Sequence, residues 1–314
     1  MLLFIISLNK FKMKYIVTLV AFISILTFTS CSDSQVKSTS MDTSKKVGVL
    51  IVNHGSHSKL WRDMLKQVEE NVKDSLMALP HIQSVKTAFM EYNEPSIATQ
   101  MKGFDAEAYD EVIVVPLFLT VSSHYSHDIP VILGQKIDPK NVQYLQKEKI
   151  EVYKPKTNVT IVPPMNYTTL LKKNIERRVK ELVPETDNTG VLLVAYGDKQ
   201  YNQQWEELVE EIGKYLQVKQ GIESIAYAWC GHLVGYSTQP TKDGIQKLFE
   251  LEDKVAVIPV LVANDPYFQN DIIQTAVNES ENSDNVYYKQ DAILPDPDVN
   301  NWVIDITKQT INQL

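Results

Sequence analysis

The sequence predicts an α/β protein in which one parallel-sheet domain is repeated in tandem. Three observations carry this reading. Short β-branched runs alternate with helical stretches along residues 47–314, which is the order of βαβ units with right-handed crossovers and parallel strands. The order also repeats: Gly48 returns as Gly190, Ile82 as Ile222, Glu111 as Lys254 and Asp128 as Asp271, at offsets of 142, 140, 143 and 143 residues. Finally, the run 112–118 is apolar throughout, as in a strand buried on both faces.

The elements follow in order. In the first half, strands are predicted at 47–53, 83–90, 111–118 and 159–163, with helices at 57–78, 95–103, 127–135 and 167–183. Pro116 cannot donate to a sheet ladder, so it belongs near the C-terminal end of the third strand. Asp128 stands where an N-cap is expected for the helix that follows. In the second half, strands are predicted at 190–196, 222–229, 254–261 and 285–290, with helices at 201–217, 241–250, 269–279 and 299–312. Residues 136–157 are charged, Lys-rich and without counterpart in the second half. A surface insertion is the preferred reading, and an edge over the cleft is the other. Pro184 stops the preceding helix, which divides the chain into domains at 47–183 and 184–314.

Ahead of them, residues 1–31 read as a signal peptide: a basic segment, an apolar run at 16–28, and small residues before Cys31. This pattern resembles a bacterial lipoprotein signal, with Cys31 lipidated and the protein anchored to the cell envelope, periplasmic or outer-membrane facing. A transmembrane anchor is the alternative, although the run is shorter than the ~20 residues of a span. Residues 32–46 are polar, rich in Ser, Thr and Lys, and form a flexible tether. Only Cys230 remains as a second cysteine, so no structural disulfide is available. The net charge of −8 and the lack of a basic cluster exclude a nucleic-acid surface.

Candidate chemistry gathers where strands end, the place at which open α/β sheets bind ligands. In the first half these ends carry His54 with Ser56 and His57, then Glu91 with Glu94, then His124 and His127. Adjacent parallel strands bring His54, Glu91 and His124 toward one point. Two imidazoles and a carboxylate suit a borderline divalent ion such as cobalt, nickel, iron or zinc. The second half supplies a control, because Tyr196, Gly231 and Tyr267 stand at the matching positions. The scaffold is repeated without the ligands, so they are not needed for folding. His232, beside Gly231, has two open readings, facing the cleft or structural. No Walker-type or Gly-x-Gly-x-x-Gly loop is present.

Taken together, His54-Gly-Ser56, Ala88 to Glu91 followed by Glu94-Pro-Ser96, and Pro116 to Leu119 with His124 and Asp128-Ile-Pro130 resemble the class II chelatases. These are the two-domain sirohydrochlorin cobaltochelatases and ferrochelatases. The resemblance implies two flavodoxin-like lobes with a tetrapyrrole cleft between them. It implies His54, Glu91 and His124 as catalytic and metal-handling residues, with His54 the proton acceptor. Ser56, Tyr196, His232 and Tyr267 become contacts to the macrocycle, and His57, His127 and Glu94 secondary candidates. The metal, Co²⁺, Fe²⁺ or Ni²⁺, is then a substrate, the partner is a tetrapyrrole, and no organic cofactor is required. The competing class is an envelope lipoprotein that binds a tetrapyrrole or metal for uptake without catalysis. Retention of all three first-half ligands favours the enzyme.

Overall fold

The structure, a computed structural model, describes residues 45–165 and 169–314. The signal peptide, Cys31 and nearly all of the tether lie outside the described residues. Among the described residues, no helix is long and apolar enough to cross a membrane.

The first half builds β1 (Val47–Asn53), α1 (Lys59–Met77), β2 (Ile82–Phe89), α2 (Ile97–Ala106), β3 (Glu111–Pro116), α3 (Ile129–Ile132), α4 (Pro139–Lys147), β4 (Asn158–Ile161) and α5 (Thr169–Leu182). The second builds β5 (Thr189–Ala195), α6 (Asn202–Gln220), β6 (Ile225–Trp229), α7 (Gln239–Phe249), β7 (Lys254–Val260), α8 (Thr275–Asn278), β8 (Val286–Tyr288) and α9 (Pro297–Ile311). Two four-stranded sheets result, ordered β2-β1-β3-β4 and β6-β5-β7-β8. Every pairing is parallel. The duplication predicted from the offsets is thus a duplication of topology.

Pro116 closes β3. Leu117 donates to Val52 O at 2.9 Å, so the nitrogen of Pro116 faces the other neighbour, β4. The register with β4 already ends at the pair Val114 and Ile161. No donor is missed there.

Alternation along each strand divides the core. Val49 and Ile51 face one way, and with Leu193 and Ile258 of the other sheet they enter one apolar cluster that runs between the sheets. Leu50 and Val52 face outward under α2 and α3, while Leu192 and Val194 face outward under α7. The inner layer contains an exchange. Helix α5, the last of the first half, packs on α6 and β7. There Arg178 donates to Pro259 O at 2.8 Å and Asn174 to Ile293 O at 2.9 Å. Helix α9, the last of the second half, packs instead on α1 and β3. A cut at 183/184 therefore leaves each helix on the opposite side from the sheet it covers. The apolar stripe Leu171, Ile175 and Val179 says that α5 is covered, but not by which sheet.

Residues 136–157 are not featureless in the fold. They contain α4, begun by Asp138, whose side chain caps Lys140 N and Asn141 N, and by Pro139 in the first turn. Buried Leu145 anchors the helix to the outer core. Asp105 of α2 holds the far end, accepting from Tyr153 Oη and Thr157 Oγ1, each at 2.7 Å. The insertion is packed at both ends.

Candidate metal centre

Beyond β1 and β2 the backbone ladder continues for two rungs. Met90 N donates to Asn53 O and Glu91 N to His54 O, both at 2.8 Å. This locks His54 and Glu91 side by side at the strand ends. Gly55 makes the contact possible: its φ is +103°, and a Cβ there would lie 2.0 Å from Glu91 O.

His124 arrives from the third strand. After β3 the chain enters a π-helical turn, His124–Asp128, a form that recurs at functional sites. The turn brings Asp128 back under His124, where Asp128 Oδ2 accepts from Nδ1 at 2.7 Å. The predicted N-cap role of Asp128 is therefore corrected. Its backbone is helical and its side chain makes no cap bond, because both oxygens are used elsewhere, Oδ1 by Asn141 Nδ2 at 2.6 Å.

The three ligand candidates come together. His54, Glu91 and His124 each offer an atom within 4.8 Å of the others, and the two rings meet edge to face with centroids 4.6 Å apart. Two donors on one ion with bonds of ~2.1 Å lie at most roughly 4.2 Å apart. A slight contraction would let all three share an ion. At His54, Nδ1 points to Gly55 O at 2.9 Å; donation there leaves Nε2 with its lone pair. Burial, and then the neighbouring His124, lowers the His54 pKa to about 4, so the ring is neutral at pH 7. Burial raises the pKa of Glu91 against the pull of His124. Glu91 is 6% exposed, and its Oε1 has no hydrogen-bond partner. An unpaired buried carboxylate oxygen is costly, and a cation between the three groups would offset that cost.

The other candidates divide. Ser56 Oγ donates to Asp265 Oδ2 of the second lobe at 2.6 Å, and Ser123 Oγ donates to Asp198 Oδ2 at 2.9 Å. Ser56 and Asp198 are repeat-related at the offset of 142, and Asp265 lies one residue before the repeat of Ser123 at the offset of 143, so the two contacts are one kind of clasp made twice. His127 is turned away into this interface, between Lys136 Nζ at 2.8 Å and Tyr201 Oη at 2.9 Å. Glu94 accepts from the backbone nitrogen of Ser96, the N-cap of α2, at 2.6 Å. His57 packs its ring 4.7 Å from Tyr92. None of these three is held in the triad.

Tyr196, His232 and Tyr267 join an aromatic group of the second lobe. Tyr196 packs 5.5 Å from His232 and 5.6 Å from Phe268, and Tyr267 lies 6.0 Å from Tyr236. Residue size closes the second site. A Cβ on Gly231 would fall 2.5 Å from the Tyr196 carbonyl oxygen and 2.8 Å from its ring, so backbone and ring together leave no room for a side chain at the position of Glu91. Sequence reasoning missed Tyr92, Tyr144 and Tyr236, all exposed. Burial and then the charges of Glu91 and Asp128 push Tyr144 up to about 12, with Tyr236 of the other lobe contributing. Tyr144 belongs to α4, so the insertion brings a tyrosine close enough to Glu91 and Asp128 for their charges to act on it. Its only sequence signal is an aromatic residue in a polar helix.

The sequence model of the family described as CbiX matches residues 48–182. A sirohydrochlorin cobaltochelatase of Saccharolobus solfataricus is 27% identical over 135 residues, covering 43% of this chain and 94% of its own. One from Saccharolobus islandicus is 31% identical over 102 residues, covering 32% of this chain and 75% of its own. Such relatives are about as long as one lobe. Among solved structures, SirB from Bacillus subtilis with Fe³⁺ aligns with a TM-score of 0.63 at 20% identity, over 85% of this chain and 96% of that one. The sirohydrochlorin chelatase SirB from Bacillus subtilis subspecies spizizenii, in complex with cobalt, gives 0.59 at 18% identity with the same coverage. At these identities the likeness is one of fold.

Proposed function

This chain belongs to the CbiX family of class II chelatases, and from that premise we propose that it inserts a divalent metal, cobalt, iron or nickel, into a tetrapyrrole such as sirohydrochlorin. The observation that carries the reading is the triad itself, three ligand atoms within 4.8 Å around a buried carboxylate oxygen that nothing else satisfies.

Insertion requires an ion to be delivered and two pyrrole N–H protons to be removed. His54 and Glu91 receive the ion, the former neutral and lone-pair ready, the latter supplying charge. A pKa of about 4 makes His54 a weak base. The proton-acceptor role expected for it from the sequence passes in this reading to His124, whose ring is backed by a carboxylate and takes one pyrrole proton, and to the Glu91 carboxylate, which takes the other as the ion leaves it for the macrocycle. The aromatic side chains Tyr92, Tyr144, Tyr196, Tyr236 and Tyr267 offer flat apolar faces to a macrocycle and hydroxyls to its polar substituents. The macrocycle supplies the final ligands, so the reading needs no organic cofactor.

The test is a screen of the full chain against Co²⁺, Fe²⁺ and Ni²⁺ with sirohydrochlorin and related tetrapyrroles, followed by the absorbance change on metallation. Turnover with at least one pair is expected. Tight binding of a macrocycle or metal with no acceleration of metallation by any pair would favour a capture protein instead.

The site of action in this reading is the cell envelope, through a lipid on Cys31, and its support is the sequence motif before that residue. Cys31→Ser is expected to abolish fatty-acid labelling and to release the protein from membranes. Firm membrane association of that variant would point to a spanning helix.

A further inference from the structure

We propose that Asp128 and Asn141 are positioning residues for metal handling, and that the insertion unique to the first half exists to complete this chain of contacts. The proposal rests on the chelatase reading above. Asp128 is 4% exposed, yet both of its oxygens are occupied: Oδ2 accepts from His124 Nδ1 at 2.7 Å and Oδ1 from Asn141 Nδ2 at 2.6 Å. An acceptor-only carboxylate at Nδ1 requires the proton on that nitrogen. Nε2 is thereby left with a free lone pair, available to a metal or a proton. A carboxylate behind a metal-binding histidine fixes its tautomer and ring orientation and raises its basicity as a ligand. Here the carboxylate is itself held by a side chain from the first turn of α4.

The second half shows that this arrangement is not required by the fold. Asp271 is the repeat of Asp128, at the offset of 143, and it too lies in a π-helical turn, Tyr267–Gln274. Tyr267 stands where His124 would be, and no equivalent of α4 follows. With neither partner in place, Asp271 is exposed. The carboxylate is buried only in the half that has an imidazole to orient and an insertion helix to hold it. Asn141 points the same way, because its Oδ1 is buried without a hydrogen-bond partner. Its amide satisfies Asp128 at the expense of its own carbonyl oxygen. The helix beneath is rigid enough to hold this geometry, with Leu145 buried on one side and Asp105 fastening Tyr153 and Thr157 at the far end.

The experiment compares Asp128→Asn, Asp128→Glu, Asn141→Ala and Asp271→Asn in the full chain. Nitrogen-15 NMR of the imidazoles should show His124 protonated on Nδ1 in the parent protein. In Asp128→Asn the amide can present its NH₂ to Nδ1, which moves the proton to Nε2 and blocks the lone pair. Co²⁺ affinity is then expected to fall ~10–100-fold, and kcat for metallation ~10²–10⁴-fold, with KM for the macrocycle within about threefold because no cleft contact is removed. Asp128→Glu should restore part of the affinity. Asn141→Ala should lose several-fold in the same direction, and it serves as the second probe if Asp128→Asn does not fold. Asp271→Asn should match the parent. An Nε2-protonated His124 in the parent, or a folded Asp128→Asn that keeps parental Co²⁺ affinity and kcat, would overturn the proposal. Absence of both Co²⁺ binding and metallation in the parent would instead bring down the chelatase reading, and the NMR measurement separates these outcomes.

Discussion

Replacing His54 or His124 with alanine is expected to lower the rate of metal insertion by ~10²–10⁴-fold and to leave the fold intact. The second lobe warrants the latter, since it closes the same topology with tyrosines at both positions. Glu91→Gln should lose activity while keeping or raising thermal stability, because the buried charge with its unpaired oxygen disappears and the side-chain shape stays. His54 adds a pH signature. Its folded pKa, about 4, lies below the ~6.5 of an unfolded histidine. As pH falls from 6.5 toward 4 the unfolded chain takes up a proton that the native ring refuses, so stability is lost through that window. The parent protein should therefore lose more melting temperature than His54→Ala between pH 6.5 and 4. Glu91 shifts in the opposite direction, but it is present in both proteins and cancels to first order. His81, at the start of β2 and the far end of the sheet, is the control, and His81→Ala should keep full metallation activity. Near-parental rates in both His54→Ala and His124→Ala would show that the triad does not handle the metal.

Gly55→Ala should be strongly damaging, with the closest approach of any glycine among the described residues. Two costs add. A left-handed φ of +103° is strained for any residue with a Cβ, and the new carbon would sit 2.0 Å from the Glu91 carbonyl oxygen, a backbone atom that cannot step aside. Strain of ~1–3 kcal/mol and overpacking of ~1–3 kcal/mol give an expected destabilisation of about 2–6 kcal/mol. Relief would come by pushing apart the rungs that hold His54 beside Glu91, so metal binding should fall with stability. Gly221→Ala calibrates the first cost alone, since φ there is +68° and nothing stands within 4 Å. A melting temperature for Gly55→Ala equal to that of Gly221→Ala would contradict the close approach.

Much of this was legible in the sequence because it depends on local pattern. Runs such as 112–118 define strands by their branching and apolarity, and the offset near 142 residues exposes the duplication without any structure. The triad was legible for a topological reason: neighbouring parallel strands end side by side, which fixes His54 beside Glu91, while His124 is brought to them by the loop and π-helical turn after β3. What failed to show depends on long-range choice. The stripe on α5 cannot name its sheet. Asp128, in a position that suits an N-cap, gives no sign that a π-helical turn will swing it under His124. His127 and Glu94 looked like chemistry because their residue types are versatile. The first is held by Lys136 of its own half and Tyr201 of the other, the second by the start of α2. Tyr144 and Asn141 lay in a segment with no repeat to align against, so nothing marked them before the fold was seen.

The exchange of α5 and α9 has a consequence for the order in which the molecule is made. A growing chain presents β1 to β4 to solvent long before α9, the cover of α1 and β3, has been synthesised. Early domains of a nascent protein ordinarily fold while the rest is still being made. Here the half bearing His54, Glu91 and His124 is not covered until the fifteen-residue helix α9, Pro297–Ile311, has emerged. Its partner half waits far less, since α5, which it borrows, precedes its own first strand. The lobe without the triad is thus the one whose parts are assembled in sequence, and the lobe with the triad is closed only once α9 has followed the second half.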